Sequence, residues 1–521
     1  MDNGLYSVAQ IRAMESAVPE GTVEGTAEAG SAGDGAMGSL MQRAGRAASS
    51  FALELLGTAR AQPVLVLAGP GNNGGDALEL AANLGGAGVD VVVLYLAGSG
   101  PPSPEAAQAL ARARASSVNF ADVAPDVREW AMVVDGLFGI GLTRPLEGRY
   151  RELVMAIGRL RCPVLALDVP SGLDADTGAV VGSGGQHGVA VHATHTITFI
   201  GDKPGLHTAE GRDHAGIVRV AGLDLDPAAF EAPRARLASP ALFRSRLLPR
   251  RQNSHKGQFG DVAVVGGAHG MVGAAVLAAR AALHAGAGRV FAVTVYAGPA
   301  FDPLQPELMF RGSAGFELGG RVCVLGPGMG DSSEAMRVLG HAIDGTAPVV
   351  IDADGLNLLA ASSALQERVA RRQGGTLVTP HPLEAARLLG RSAAEVQADR
   401  LGCARELARR LQAVVVLKGS GTVLAQPDGE VAINPTGNPG LASGGSGDVL
   451  AGVCGALLAQ GWPAWEAAVG AVWMHGAAAD RLVEQGVGPV GMTAGELPAA
   501  VRAVLNGLLR EADLGGRPPA S

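Results

Sequence analysis

Short runs of Val, Ile and Leu, each followed by a glycine-rich turn and often by a helical pattern, recur along the chain. In the first half the runs are Val64–Ala68, Val89–Leu96, Met132–Asp135, Val164–Asp168 and Thr196–Ile200. In the second half they are Val262–Gly266, Val290–Val295, Val322–Gly326, Val349–Asp352, Thr376–Thr379 and Val414–Lys418. Helical spacing marks Ala274–Ala285, Leu383–Leu389, Glu395–Leu411 and Asp448–Leu458, and a helix is expected to begin near Ala77. Runs that are apolar on both faces and alternate with helices predict parallel sheets covered on both sides. The pattern occurs twice, which predicts an α/β chain of two domains, 1–223 and 254–512. Between them, 224–253 loses the alternation and carries Pro227, Pro233, Pro240 and Pro249, which predicts a linker. A Gly/Ala-rich stretch at 19–37 predicts a loop, and 515–521 a frayed tail.

Composition narrows the class. A length of 521 residues exceeds one ordinary core and suggests two or three domains. Aromatic residues make up 4% and glycine reaches 77 residues, so the core must be built from Ala, Val and Leu with close backbone approaches. A net charge of −8 argues against a general nucleic-acid or membrane surface. The cysteines Cys162, Cys323, Cys403 and Cys454 show no metal spacing and read as reduced thiols. The start of the chain lacks the basic and apolar regions of a signal peptide, and no apolar run approaches the ~20 residues of a membrane span. These features predict a cytoplasmic enzyme acting on small molecules, and a homo-oligomer is the expectation.

The richest chemical signal is G-N-P-G-L-A-S-G-G-S-G-D-V-L-A-G at 437–452. Glycines leading into an apolar helix expose backbone N–H groups at its positive end, a site for phosphate or a developing anion. Asp448 in the first turn would repel a bound phosphate, yet it is well placed to take a proton from a hydroxyl attacking one. Other strand ends point the same way. G-G-A-H-G-M-V-G follows the run ending at Gly266, L-G-P-G-M-G spans 325–330, and Asp352 and Asp354 end another run. His381 sits between two prolines, and Lys418 stands in a Gly/Ser turn that reads as a phosphate clamp.

These strings, with H-K-G-Q-F-G at 255–260, V-I-D-A-D-G-L-N, T-P-H-P and L-K-G-S-G-T, resemble the NAD(P)H-hydrate dehydratase family, a branch of the ribokinase-like fold. The resemblance covers about 251–509. It implies dehydration of the S form of hydrated NADH or NADPH at the expense of ADP or ATP with Mg²⁺. It further implies that Asp448 is the catalytic carboxylate and that Gly447 lies at the nucleotide phosphates. Lys418, Gly419, Ser420, Gly421 and Thr422 would form the nucleotide-binding turn. Ala275 (or its neighbour Ala274), Gly328, His381 and Asp448 would contact the hydrated cofactor.

In the first half, G-P-G-N-N-G-G-D at 69–76 offers amide and carboxylate oxygens in a glycine turn, as a hard cation or a sugar–phosphate needs. V-D-G-L-F-G-I-G-L, L-D-V-P-S-G-L-D-A-D-T-G and K-P-G follow at later strand ends. Together they resemble the NAD(P)H-hydrate epimerase family, over roughly 5–220, which implies a Rossmann-like three-layer sandwich. By that resemblance Asn73, Asp135 and Ser171 would hold K⁺. Asn72, Asn73, Gly74, Gly75, Asp76, Gly139, Ile140, Gly141, Leu142, Thr143, Arg144, Pro145 and Asp168 would contact substrate. Asp168 is the candidate acid/base for interconverting R and S hydrates.

The two activities are sequential, so their fusion supports a nicotinamide-cofactor repair enzyme. Two rivals share parts of the pattern. One is a ribokinase-like kinase of a vitamin-precursor alcohol, which T-P-H-P and H-K-G disfavour. The other is a non-catalytic N-terminal binding module, which the presence of Asn73, Asp135, Asp168 and Ser171 disfavours.

Overall fold

The computed structural model describes residues 3–18, 38–58, 62–123, 129–182, 188–226 and 229–516. The chain divides into two compact units, Met1–Ala235 and Arg236–Ser521. The stretch 19–37 and the last residues, 517–521, lie outside the described residues.

In the first unit seven strands form one sheet in the order Asn119–Phe120, Val91–Tyr95, Val64–Ala68, Met132–Gly136, Val164–Leu167, His195–Phe199, Ile217–Ala221. All are parallel. Val64–Ala68, Met132–Gly136 and Val164–Leu167 are buried throughout, as strands covered by helices on both faces must be. From Val64–Ala68 the chain steps outward to one edge and then returns to place Met132–Gly136 on its other side. That reversal opens a crevice at the carboxyl ends of these two strands, where open α/β sheets bind ligands.

The second unit repeats the device. Asp261–Gly266 lies between Arg289–Thr294 and Val322–Leu325, so its carboxyl end is again a switch point. The sheet continues in parallel through Val349–Ile351, Thr376–Val378 and Val414–Leu417, then turns antiparallel into Val423–Ala425 and Val431–Ile433. Helix packing here is close because the side chains are small. A Cβ on Gly452 would sit 2.0 Å from the Ala278 carbonyl oxygen, so helices Ser446–Ala459 and Val272–His284 touch backbone to backbone. This contact sets the N-terminus of Ser446–Ala459 over the sheet.

Four readings of the sequence are corrected. The helix expected near Ala77 begins at Asn72, with Gly71 as its cap, because Gly74 and Gly75 are packing glycines and not turn glycines. A Cβ on Gly74 would lie 1.9 Å from the Gly69 oxygen, and one on Gly75 would lie 2.5 Å from Met41 Sδ. The pattern Glu395–Leu411 is two helices, Ala393–Ala398 and Arg400–Leu411, split at Asp399, whose side chain caps the second by accepting from Gly402 N–H at 2.8 Å. The stretch 224–253 is folded in part. Strand Ala235–Leu237 joins the sheet and two 3₁₀ turns follow, while Ala238, Phe243 and Leu247 are buried in the second unit's core. The last helix, Leu497–Gly516, runs into the expected tail.

Candidate active sites

In the second unit two strand ends and a helix start deliver charge to one place. Asp352 follows Val349–Ile351 and is buried; Lys418 follows Val414–Leu417, and its Nζ donates to Asp352 Oδ1 at 2.7 Å. A Cβ on Gly447 would lie 3.2 Å from Lys418 Nζ, so the ammonium stands directly beside the glycine turn. Gly445 takes φ 92° as the cap of helix Ser446–Ala459, and Asp448 follows in its first turn. Backbone N–H groups at a helix start and a held ammonium together suit phosphate. Burial, then the charge of Asp352, hold the Asp448 carboxyl up at about 6. Burial works against the charged form of Lys418, but Asp352 and Glu384 outweigh it and raise its pKa.

The turn after Lys418 is braced locally. Thr422 Oγ1 accepts from Gly419 N–H at 3.3 Å and donates to Gly419 O at 3.1 Å. Arg400, which sequence reasoning missed, is buried beneath it and donates to Leu417 O at 3.1 Å; a Cβ on Gly419 would collide with its guanidinium. Burial brings Arg400 down to about 10. Ser420 is exposed, whereas Gly421 is buried.

His381 caps helix Pro382–Leu389, its Nδ1 accepting from Leu383 N–H at 3.1 Å and Glu384 N–H at 3.3 Å. Glu384 Oε2 accepts from His381 N–H at 2.8 Å in return. With Nδ1 an acceptor, Nε2 carries the proton, and the ring is 46% exposed. Capping thus fixes the tautomer a ligand would meet. Gly328 takes φ 57°, and a Cβ there would lie 2.4 Å from Met271 O. Ala275 is corrected: it is fully buried among core alanines, and the partly exposed neighbour beside Gly328 is Ala274.

The first unit holds a cavity of about 980 Å³ at its switch point, lined by Asn72, Asn73, Asp76, Gly139, Ile140, Gly141, Leu142 and Asp168 among others. Asp168 follows Val164–Leu167 with φ 64°, a conformation that side chains rarely adopt. Its Oδ2 accepts from Ile140 N–H at 2.9 Å and its Oδ1 from Lys203 Nζ at 2.7 Å. A Cβ on Gly139 would lie 2.5 Å from that Oδ2. Lys203 lay within the K-P-G string, but nothing in its spacing pointed to Asp168. Five of the expected contacts stand elsewhere. Gly74 is buried against the Gly69 backbone, while Thr143, Arg144 and Pro145 are exposed outside the cavity lining. Gly75, likewise buried, packs on Met41.

Beneath the cavity, Asp135 is fully buried. Ser171 Oγ donates to its Oδ1 at 2.7 Å, Ser171 N–H to its Oδ2 at 2.8 Å, and Leu137 N–H to its Oδ1 at 3.2 Å. Burial raises Asp135 to about 6. Asn73 Nδ2 donates to Leu167 O at 3.1 Å, and Asn73 Oδ1 is buried with no hydrogen-bond partner among the described residues.

Comparison with known proteins decides between the readings. Residues 262–501 match the family model described as NAD(P)H-hydrate dehydratase, and 37–205 match the YjeF-related protein N-terminus. The bifunctional NAD(P)H-hydrate repair enzyme of Coxiella burnetii is 39% identical, covering 90% of this chain and 94% of that relative. That of Escherichia coli is 38% identical over 90% and 89%. The chain belongs to the bifunctional NAD(P)H-hydrate repair enzymes. An ADP/ATP-dependent NAD(P)H-hydrate dehydratase from Bacillus subtilis, co-crystallised with ATP/Mg²⁺, is 31% identical over 52% of this chain and 98% of that one, with a TM-score of 0.47. As a repair enzyme the chain pairs an epimerase unit, a parallel α/β sheet of Rossmann-like form, with a dehydratase unit built on a mixed α/β sheet. It acts on small molecules, and among the described residues no helix is long and apolar enough to cross a membrane.

Proposed function

We propose that the dehydratase unit uses Asp448 as its base and the epimerase unit Asp168 as its acid/base. The observation that carries the first is the meeting of Asp352, Lys418, Gly447 and Asp448 at one helix start. Hydroxide leaves poorly, and phosphorylating the ring hydroxyl makes it a good leaving group. Asp448 takes the hydroxyl proton during transfer, while Lys418 and the helix N-terminus offset charge on the phosphates. Lys418, Gly419, Ser420 and Thr422 hold the nucleotide, and His381 and Gly328 the hydrated cofactor. Mg²⁺ bound with the nucleotide would add positive charge against the phosphates.

K⁺ fits the epimerase unit. Asn73 Oδ1, buried and unpartnered among the described residues, together with the buried Asp135–Ser171 pair would supply the neutral and singly charged oxygens that a large monovalent cation takes. A doubly charged metal would recruit more carboxylates. Asn73, Asp135 and Ser171 would hold the ion and fix the carboxyl ends of their strands beneath Asp168. Titrating K⁺ against the epimerase rate tests this. Replacing it with Li⁺, or Asp135→Ala, should weaken epimerisation and leave S-hydrate dehydration nearly unchanged. A rate indifferent to the cation would make Asp135 a cap for the loop that follows it.

A further inference from the structure

Two carboxyls in the epimerase cavity have opposite surroundings. Both oxygens of Asp168 accept hydrogen bonds, one from Ile140 N–H and one from Lys203 Nζ. Lys203 is fully buried and also donates to Thr198 Oγ1 at 2.7 Å and Phe199 O at 2.8 Å, so all three ammonium protons are committed. The cation cannot swing away, and the Asp168 carboxylate is satisfied as an anion.

Asp76 lines the same cavity from the second turn of helix Asn72–Gly86. Among the described residues no donor reaches its carboxyl. The charges acting on it are mostly acidic: Asp168, Glu15 from helix Val8–Ser16 and Glu105 from helix Pro104–Ala115, opposed by Lys203, while Arg12 and Arg43 also line the cavity. Burial first, then those acids, push Asp76 well above the usual carboxylate range. Glu15 is raised too, but it is exposed at the rim. Two carboxyls whose environments favour opposite protonation states are what an acid and a base in one site require.

We propose that Asp76 is the general acid of epimerisation, working opposite Asp168 as the base. The proposal rests on the Asp168 reading above. Asp168 takes the hydroxyl proton at the hydrated ring carbon, and the freed O–H electron pair forms a carbonyl. The carbon–nitrogen ring bond breaks, and its electron pair goes to the ring nitrogen, which takes the Asp76 proton. Rotation about the neighbouring carbon–carbon bond presents the other carbonyl face. On reclosure the ring nitrogen attacks the carbonyl carbon and gives its proton back to Asp76, the oxygen takes its proton back from Asp168, and nothing is oxidised or reduced.

The test follows R and S hydrates by chromatography with the full chain and no nucleotide, so the dehydratase is silent. The wild-type kcat should fall at both ends of the pH range, the alkaline fall belonging to Asp76. Asp76→Asn should lower kcat by ~10²-fold or more with little change in KM and should lose the alkaline limb. Asp76→Glu, which keeps a carboxyl, should restore that limb in part. A wild-type profile with no alkaline fall overturns the proposal without any variant. So does Asp76→Asn with a raised KM but unchanged kcat and profile, which would make Asp76 a binding contact. Asp168→Asn separates the two readings. If it stays fully active while Asp76→Asn is inactive, the base assignment fails and the acid assignment stands.

Discussion

Asp448 shows how one residue's surroundings set its use. Held at about 6 by burial and by Asp352, its carboxyl is ionised at neutral pH yet basic enough to accept a hydroxyl proton. The base acts only when ionised, so kcat/KM for the S hydrate should fall about tenfold per pH unit below that value. Asp448→Asn keeps the shape, removes the base, and should cost at least ~10²-fold in dehydration while epimerisation continues. A pH–rate profile on both chains checks this, and near-normal turnover by the variant would remove Asp448 from the chemistry. Asp448 and Asp168 were legible in the sequence because glycine turns announce them. Lys203 and Arg400 were not, and neither was the clasp between Asp352 and Lys418. A lone charge at a strand end has no periodicity, and its partner is distant, 35 residues away for Lys203 and 66 for Lys418.

Among elements, the central strands were readable because burial on both faces leaves an unbroken apolar run, as in Val414–Leu417. Short or half-exposed strands were not. Ile217–Ala221 is an edge strand with exposed positions, and Val423–Ala425 and Val431–Ile433 form a brief antiparallel pair. Glycine misled where its purpose is contact and not turning, at Gly74 and Gly75. Proline misled in the expected linker, where 3₁₀ turns place Phe243 between Trp462 and Trp473, each with ring centroids 6.1 Å away. Phe243→Ala should therefore behave as a core deletion, costing about 3–5 kcal/mol. Chemical denaturation of the full chain should show the loss in the transition that also ends dehydratase activity. An unchanged transition would mean the segment is a tether after all.

At the scale of the whole molecule, the same topological reversal is used twice for different chemistry. Each unit folds a sheet, parallel at its centre, whose switch point gathers loops from strands far apart in sequence. What differs is what the loops carry: an ammonium beside a glycine-led helix start in one, and a lysine-held carboxylate above a buried acceptor oxygen in the other. A dehydratase that accepts the S hydrate leaves the R hydrate stranded, so one chain carrying both units should clear a mixed sample in a single phase. Asp168→Asn should split that into two. The S hydrate would be consumed at the normal rate, and the R hydrate would follow only as fast as it epimerises unaided. Absorbance at the reduced-nicotinamide band, with nucleotide in excess, records both phases. The amplitude of the slow phase must equal the R fraction of the sample, which ties the defect to epimerisation and not to a general loss of activity. If the variant still clears both forms in one fast phase, the proton passes through some group other than Asp168.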